Sequence, residues 1–61
     1  MARTTVTVTI YWRPEADGSW YQQDWQAASR AGALRRWRRF WGITARQCAY
    51  FAAIPTEALL P

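Results

Sequence analysis

The chain has 61 residues, of which 51% are hydrophobic and 16% aromatic, and its eight arginines against four acidic residues give a net charge of +4. This length allows one small domain spanning residues 1–61, which buries only about 60% of the surface that its unfolded form exposes. One cysteine and no histidine exclude an internal disulfide and the usual zinc ligand sets. We therefore expect no metal and no cofactor, and a core made of aromatic side chains.

Neither catalysis nor membrane insertion is indicated. Histidine is the commonest acid or base near neutral pH, and the four carboxylates that remain form no paired cluster: Glu15, Asp17, Asp24 and Glu57. No basic segment followed by an apolar run opens the chain, and no stretch approaches the about 20 apolar residues of a transmembrane helix. The sequence predicts a soluble, cytoplasmic protein that is not an enzyme.

Residues 4–12 alternate with period two and are mostly β-branched, which predicts a strand with one buried face. The apolar positions are Val6, Val8, Ile10 and Trp12. The other face carries Thr5, Thr7, Thr9 and Tyr11. We expect this threonine face to be solvated; the alternative is an adhesive sheet edge.

Residues 14–19 predict a turn, because proline presets one φ angle and Asp17-Gly18 is expected to supply a position with positive φ. The strand that returns would cover residues 20–26. Alternation then favours Tyr21 and Trp25 on the inner face. Trp20 would lie on the outer face, either as a cross-strand partner or as an exposed anchor for a binding partner.

Residues 30–41 predict an amphipathic helix, with Ser29 as N-cap and Gly42 as the residue that ends it. At about 100° per residue, one arc of roughly 120° collects the apolar side chains, namely Ala33, Leu34, Trp37, Phe40 and Trp41. The opposite side collects Arg35, Arg36, Arg38 and Arg39. We expect the apolar arc to pack on the hairpin, with one core made of Val6, Val8, Ile10, Leu34, Trp37 and Trp41.

After Gly42, Thr44 and Gln47 have the spacing of a capping box. Ala45, Cys48, Ala49 and Ala52 then share one helical face. This favours a second helix, although residues 47–54 are also an apolar run that a buried third strand would have. Proline 55 ends either element, and residues 56–60 form at most one further turn. The predicted fold class is α+β, with an N-terminal β-hairpin packed on the Arg/Trp helix.

The arginines of the helix are the strongest functional signal. No acidic residue lies between Asp24 and Glu57, so no local ion pair relieves a like-charge repulsion of about 0.2 to 0.5 kcal/mol per pair. Residues 30–61 carry six arginines and one acid, whereas residues 1–29 carry two arginines and three acids. This distribution favours an acidic partner; the alternative is a solvated face.

Three kinds of partner fit such a helix. The first is an acidic protein surface or ribonucleoprotein complex, contacted by the four helix arginines with Arg46, Tyr11 and Trp20. The second is nucleic acid, bound through the same arginines, with residues 40–51 as a helix-turn-helix that offers Arg46, Gln47 and Tyr50 to base edges. The third is a membrane surface, which is disfavoured because the hairpin gives the apolar arc something to cover. We expect a monomer or a homodimer.

The whole layout resembles a known class of small proteins. A hairpin (V-T-V-T-I-Y-W and D-G-S-W-Y) precedes a charged amphipathic helix (A-L-R-R-W-R-R-F-W-G), and this arrangement is similar to that of the inhibitors that phages and mobile elements make against host machinery, among which anti-CRISPR proteins are the best known. The resemblance implies stoichiometric blocking of a host protein or ribonucleoprotein, and it carries no residue roles.

Overall fold

Residues 5–59 form a three-stranded antiparallel sheet with one helix on one face. This computed structural model describes residues 5–59, in which β1 is Val6–Arg13, β2 is Tyr21–Ala27, α1 is Arg30–Trp41 and β3 is Tyr50–Pro55. Two 3₁₀ turns, Ala45–Gln47 and Thr56–Leu59, flank β3. The strand order is β2-β1-β3. The predicted α+β class, with a hairpin and an amphipathic helix, is confirmed.

The face of the hairpin that packs on the helix is the predicted one. Val8, Ile10 and Trp12 are buried. In the register, Val8 lies opposite Trp25 and Trp12 lies opposite Tyr21, so both β2 aromatics share the inner face, as alternation predicts. The start that we predicted for this strand, Thr4, lies outside the described residues.

The prediction of a second helix is wrong. Residues 50–55 form β3, which pairs with β1, because Tyr, Phe and Ile favour strands and the second side of β1 needs a hydrogen-bonding partner. The capping residues close only a 3₁₀ turn, in which the Thr44 N–H donates to Gln47 Oε1 at 2.8 Å. Without a second helix among residues 5–59, the helix-turn-helix interpretation of residues 40–51 is wrong as well.

The threonine face of β1 is not uniformly solvated. Thr9 is only 2% exposed, and its hydroxyl lies 2.7 Å from the hydroxyl of Thr56. The 3₁₀ turn Thr56–Leu59 follows β3 directly and contacts β1, so it covers the middle of the outer sheet face. The expectation of a solvated face is therefore wrong at Thr9.

The turn between β1 and β2 forms where it was predicted but without a positive φ angle. The Gly18 N–H donates to Glu15 O at 3.0 Å, which places Gly18 last in a four-residue turn, where glycine is common and positive φ is not needed. Arg13 Nε also donates to Gly18 O, at 2.7 Å. Among the described residues only Gly42 has a positive φ angle, of 69°.

The core lies between α1 and the inner sheet face and centres on Trp37. This side chain makes an edge-on contact with Trp12, with ring centroids 5.3 Å apart, and a tilted contact with Phe51 at 5.0 Å. Ala33 is fully buried. Arg30 Nε donates to Ala53 O at 3.1 Å, which ties the first turn of the helix to β3.

The predicted core, which included Trp41, and the apolar arc, which included Phe40, both extend too far along the helix. Trp41 is 42% exposed and Phe40 is 64% exposed, although Trp41 still contacts Trp12 at 5.2 Å. The register of β1 with β2 ends at the pair of Trp12 and Tyr21, so the last helical turn extends over the end of the sheet. Val6 and Leu34 pack against the core but are only partly buried.

Gly42 ends the helix in a conformation that other residues resist. Its φ is 69° and its N–H donates to Arg38 O at 2.8 Å. We expect Gly42→Ala to lower the free energy of unfolding by about 1 to 2 kcal/mol, because a Cβ is disfavoured in the left-handed region. Gly18→Ala is the matched control, since its φ is not positive and a Cβ would meet Glu15 O at 3.4 Å. Urea denaturation measures the free energy of unfolding of both variants. Equal losses would show that the left-handed conformation of Gly42 is not the cause of the destabilisation.

Candidate partner-binding surface

The exposed side of α1 forms an arginine face, which we define as Arg35, Arg36, Arg38 and Arg39. All four are exposed, as the helical spacing predicts. The helix that carries them is capped at both ends: Ser29 Oγ accepts from the Gly32 N–H at 3.1 Å, and Gly42 ends it. The arginine face is therefore held on a rigid element.

The arginines of this face differ from the structural ones. Arg13 and Arg30 each donate to a backbone carbonyl. Within residues 5–59, no hydrogen bond or ion pair joins the side chains of the arginine face to another residue. Their charges are left for solvent or for a ligand.

An open groove of about 790 Å³ runs along this side of the helix. Its walls are residues 27–29, Gly32, residues 42–44 and the arginine face. The lining contains no acidic residue, so the local potential attracts anionic groups. A groove this open and shallow suits the side chains of a docked macromolecule.

The exposed rings of Tyr21, Phe40 and Trp41 and the half-buried ring of Trp25 adjoin the arginines. These four residues define the aromatic patch. The Phe40 ring lies edge-on to Trp25 at 5.6 Å and to Trp41 at 5.2 Å. The Gln23 side-chain carbonyl accepts from both indoles, from Trp41 Nε1 at 2.8 Å and from Trp25 Nε1 at 3.0 Å. Hydrogen bonds therefore hold Trp25 and Trp41 in position, and Phe40 packs against both of these rings.

The other predicted partner-binding residues lie elsewhere. Trp20 is 55% exposed and its ring is 5.7 Å from that of Tyr50, with the Arg13 guanidinium 5.8 Å from each ring. Arg13 and Tyr50 alternate out of phase with the inner-face residues, so this group lies on the sheet face opposite α1, as does the half-buried Tyr11. The exposed Arg46 lies on the first 3₁₀ turn. The structure brings the four helix arginines together and separates them from Tyr11 and Trp20.

The aromatic patch was missed from the sequence. Trp41 was assigned to the core, and Phe40 to the apolar arc that packs on the hairpin, because their helical spacing matches that of buried residues. Phe40 lies at the edge of the apolar arc and next to Arg36 on the helix surface, one turn away. That position was the one sign in the sequence that Phe40 is exposed. It could not show that the sheet beneath the helix ends at Tyr21.

Cys48 is half-buried, and its Sγ–H donates to Thr44 O at 3.7 Å. Burial raises the pKa of this thiol, so it stays protonated and weakly nucleophilic near neutral pH. Across residues 5–59, no group of three or more His, Cys, Asp or Glu side chains is arranged to hold a metal ion. The chemistry that the described surface offers is that of guanidinium groups and aromatic rings.

No protein-family model, curated protein or solved structure matches the chain. No helix within residues 5–59 has both the length and the apolar character needed to span a membrane.

Proposed function

We propose that the chain is a small, non-enzymatic binding protein that docks on an acidic protein surface and acts as a stoichiometric inhibitor or adaptor. One observation supports this most: Phe40 is exposed and held rigidly beside an arginine face that has no acidic partner among the described residues. Both features are unfavourable in the isolated chain. A complementary partner relieves both.

The composition of this surface supports a protein partner. Arginine and the aromatic residues are the types enriched at protein interfaces and among the side chains that dominate binding energy. The hydrogen bonds of Gln23 to Trp25 and Trp41 hold the rings before binding, so little side-chain freedom is lost when a partner covers them. Guanidinium groups pair with carboxylates through two parallel hydrogen bonds. A partner surface that fits would therefore have an apolar hollow for the aromatic patch and an acidic rim for the arginine face.

Duplex nucleic acid fits the same arginines but not the aromatic patch. Phosphates along a duplex would neutralise the four charges and leave Phe40 in solvent. An acidic protein surface covers both. In line with the resemblance in layout, the proposed partner belongs to a host protein or ribonucleoprotein complex in the cytoplasm.

Capture from a lysate with and without nuclease separates the two kinds of partner. We expect the captured complex to survive nuclease treatment, because the contacts are to protein. If the arginines instead bind duplex DNA through four phosphates, log K falls against log salt with a slope of about −3.6. Loss of the complex to nuclease, together with a slope of that size in a DNA titration, would reject the proposal.

A further inference from the structure

The two edge strands of the sheet differ in how their outward backbone groups are used. β1 is central, so β2 and β3 each have one side without a neighbouring strand within residues 5–59. An unprotected edge presents unpaired N–H and C=O groups to which another chain can pair. The pairing of β1 with its two neighbours shows which backbone N–H and C=O groups of β2 and β3 point away from the sheet.

The outward groups of β3 are partly blocked. The Ala49 N–H donates to Arg13 O at 2.9 Å and to Pro14 O at 3.3 Å, and Pro55, which lies opposite Val8, has no N–H for a ladder bond. The backbone of Val8, and by alternation that of Ile10, therefore points towards β2, whereas that of Arg13 points towards β3. Ala53 lies opposite Ile10, so its backbone N–H and C=O point away from β1. Its carbonyl accepts from Arg30 Nε at 3.1 Å. Pro55 also points outward and has no N–H to offer.

Within residues 5–59, neither a side-chain hydrogen bond nor a proline blocks the outward groups of β2. Gln23 lies opposite Ile10 and points towards β1, so the backbone groups that point away from the sheet belong to Gln22, Asp24 and Gln26. β2 contains no proline or lysine, and its one charged residue is Asp24, which guards the edge only against other negative charges on the outer face.

The helix adds side chains that an incoming strand would contact. Phe40 lies over Trp25 of β2 at 5.6 Å, and Arg36 lies one turn earlier on the same side of the helix. The exposed edge is therefore bordered on its inner face by an aromatic ring and a guanidinium group.

We infer that the free edge of β2 binds an extended acidic segment of the partner protein as a fourth strand. Every second side chain of this segment lies on the inner sheet face, and there apolar and acidic side chains alternate so that they contact Phe40 and Arg36. The inference rests on the proposed function and names the partner segment. A second copy of this chain is a poor occupant, because pairing two β2 edges about a two-fold axis brings together two Asp24 side chains and two chains of net charge +4.

Amide hydrogen exchange of the isotope-labelled protein tests the inference without a mutation. The probe is an acetylated, amidated peptide in which threonine alternates with valine and glutamate. We expect it to slow exchange at the amides of Gln22, Asp24 and Gln26 by about tenfold or more, because they become hydrogen-bonded. The same peptide with lysine in place of glutamate should give no protection.

A substitution at the centre of the edge gives a second measurement. Asp24→Pro removes one outward N–H and should weaken peptide binding by about tenfold or more. Asp24→Ala is the matched control: it keeps the N–H and should bind at least as well as wild type. If Asp24→Pro fails to fold, the amide hydrogen exchange of the wild-type protein with the two peptides decides whether the inference holds.

Three results would overturn the inference. The acidic peptide leaves all three amides unprotected, the lysine peptide protects them equally, or the concentrated protein protects them by itself, which would make a second copy the occupant. The proposed function is tested separately: a partner captured equally by wild type and Asp24→Pro but lost on replacing the arginine face would leave that function standing and reject strand addition.

Discussion

Trp37→Ala is expected to lower the free energy of unfolding by about 3 to 5 kcal/mol. The side chain is 1% exposed, and its ring contacts Trp12 and Phe51, so truncation leaves a cavity between helix and sheet that neither ring can fill without moving. A domain of this length has a total stability of only about 3 to 9 kcal/mol. A large fraction of the variant should be unfolded at room temperature, as urea denaturation followed by circular dichroism would show.

Trp41→Ala is the matched control for this prediction. It removes the same side chain from the same helix, but at a position that is 42% exposed, so we expect less than about half the loss. Trp37→Phe provides a second comparison: the Trp37 Nε1 atom is buried without a hydrogen-bond partner in the described part of the chain, so removing that N–H leaves no acceptor stranded. Equal destabilisation by Trp37→Ala and Trp41→Ala would show that the core is not centred on Trp37.

Replacing Arg35 and Arg39 together with glutamine is expected to keep the fold and to abolish binding of the partner. The two side chains lie one turn apart on the exposed side of α1, where removing like-charge repulsion leaves stability unchanged or slightly higher. Truncating an arginine that pairs with a partner's carboxylate across an interface costs about 2 to 5 kcal/mol, much of it from stranding the partner's charge. A melting curve and a titration against the captured partner measure the two effects.

Trp20→Ala is the control for binding. Trp20 is exposed on the opposite face of the sheet, so its loss should leave partner affinity unchanged if α1 is the docking element. Should the arginine double variant bind like wild type while Trp20→Ala loses the partner, the arginines are a solvated face and the interface lies around Arg13 and Tyr50.

The capped helix and the first strand follow from local sequence patterns. Ser29, Gly42 and the spacing of the arginines act within a few residues of one another, so the boundaries of α1 and the side on which its charges lie are local properties. The alternation of Val8, Ile10 and Trp12 likewise predicted which face of the hairpin is buried. Each of these predictions needed only the period of a helix or a strand.

The C-terminal third could not be predicted in the same way. Ala45, Cys48, Ala49 and Ala52 have helical spacing, whereas residues 50–55 contain the β-formers Tyr50, Phe51 and Ile54. Residues 50–55 become β3 because β1 has a second side whose N–H and C=O groups need partners. Thr9 is buried because the turn that follows β3 lies over it. The structure of residues 50–55 and the burial of Thr9 therefore both depend on the pairing of β1 with β3, which lie some forty residues apart in the chain.

The sequence alone determined an amphipathic arginine helix on a β-hairpin, because helical and strand periods and end caps are encoded within a few neighbouring residues. Only the tertiary structure determined that Phe40 and Trp41 are exposed and that Gln23 holds the indoles of Trp25 and Trp41. It also determined that, within residues 5–59, the outer edge of β2 has no neighbouring strand, whereas Arg30 and Pro55 block that of β3. The physical reason is that exposure depends on where the sheet ends beneath the helix, and edge protection depends on contacts between residues distant in the chain.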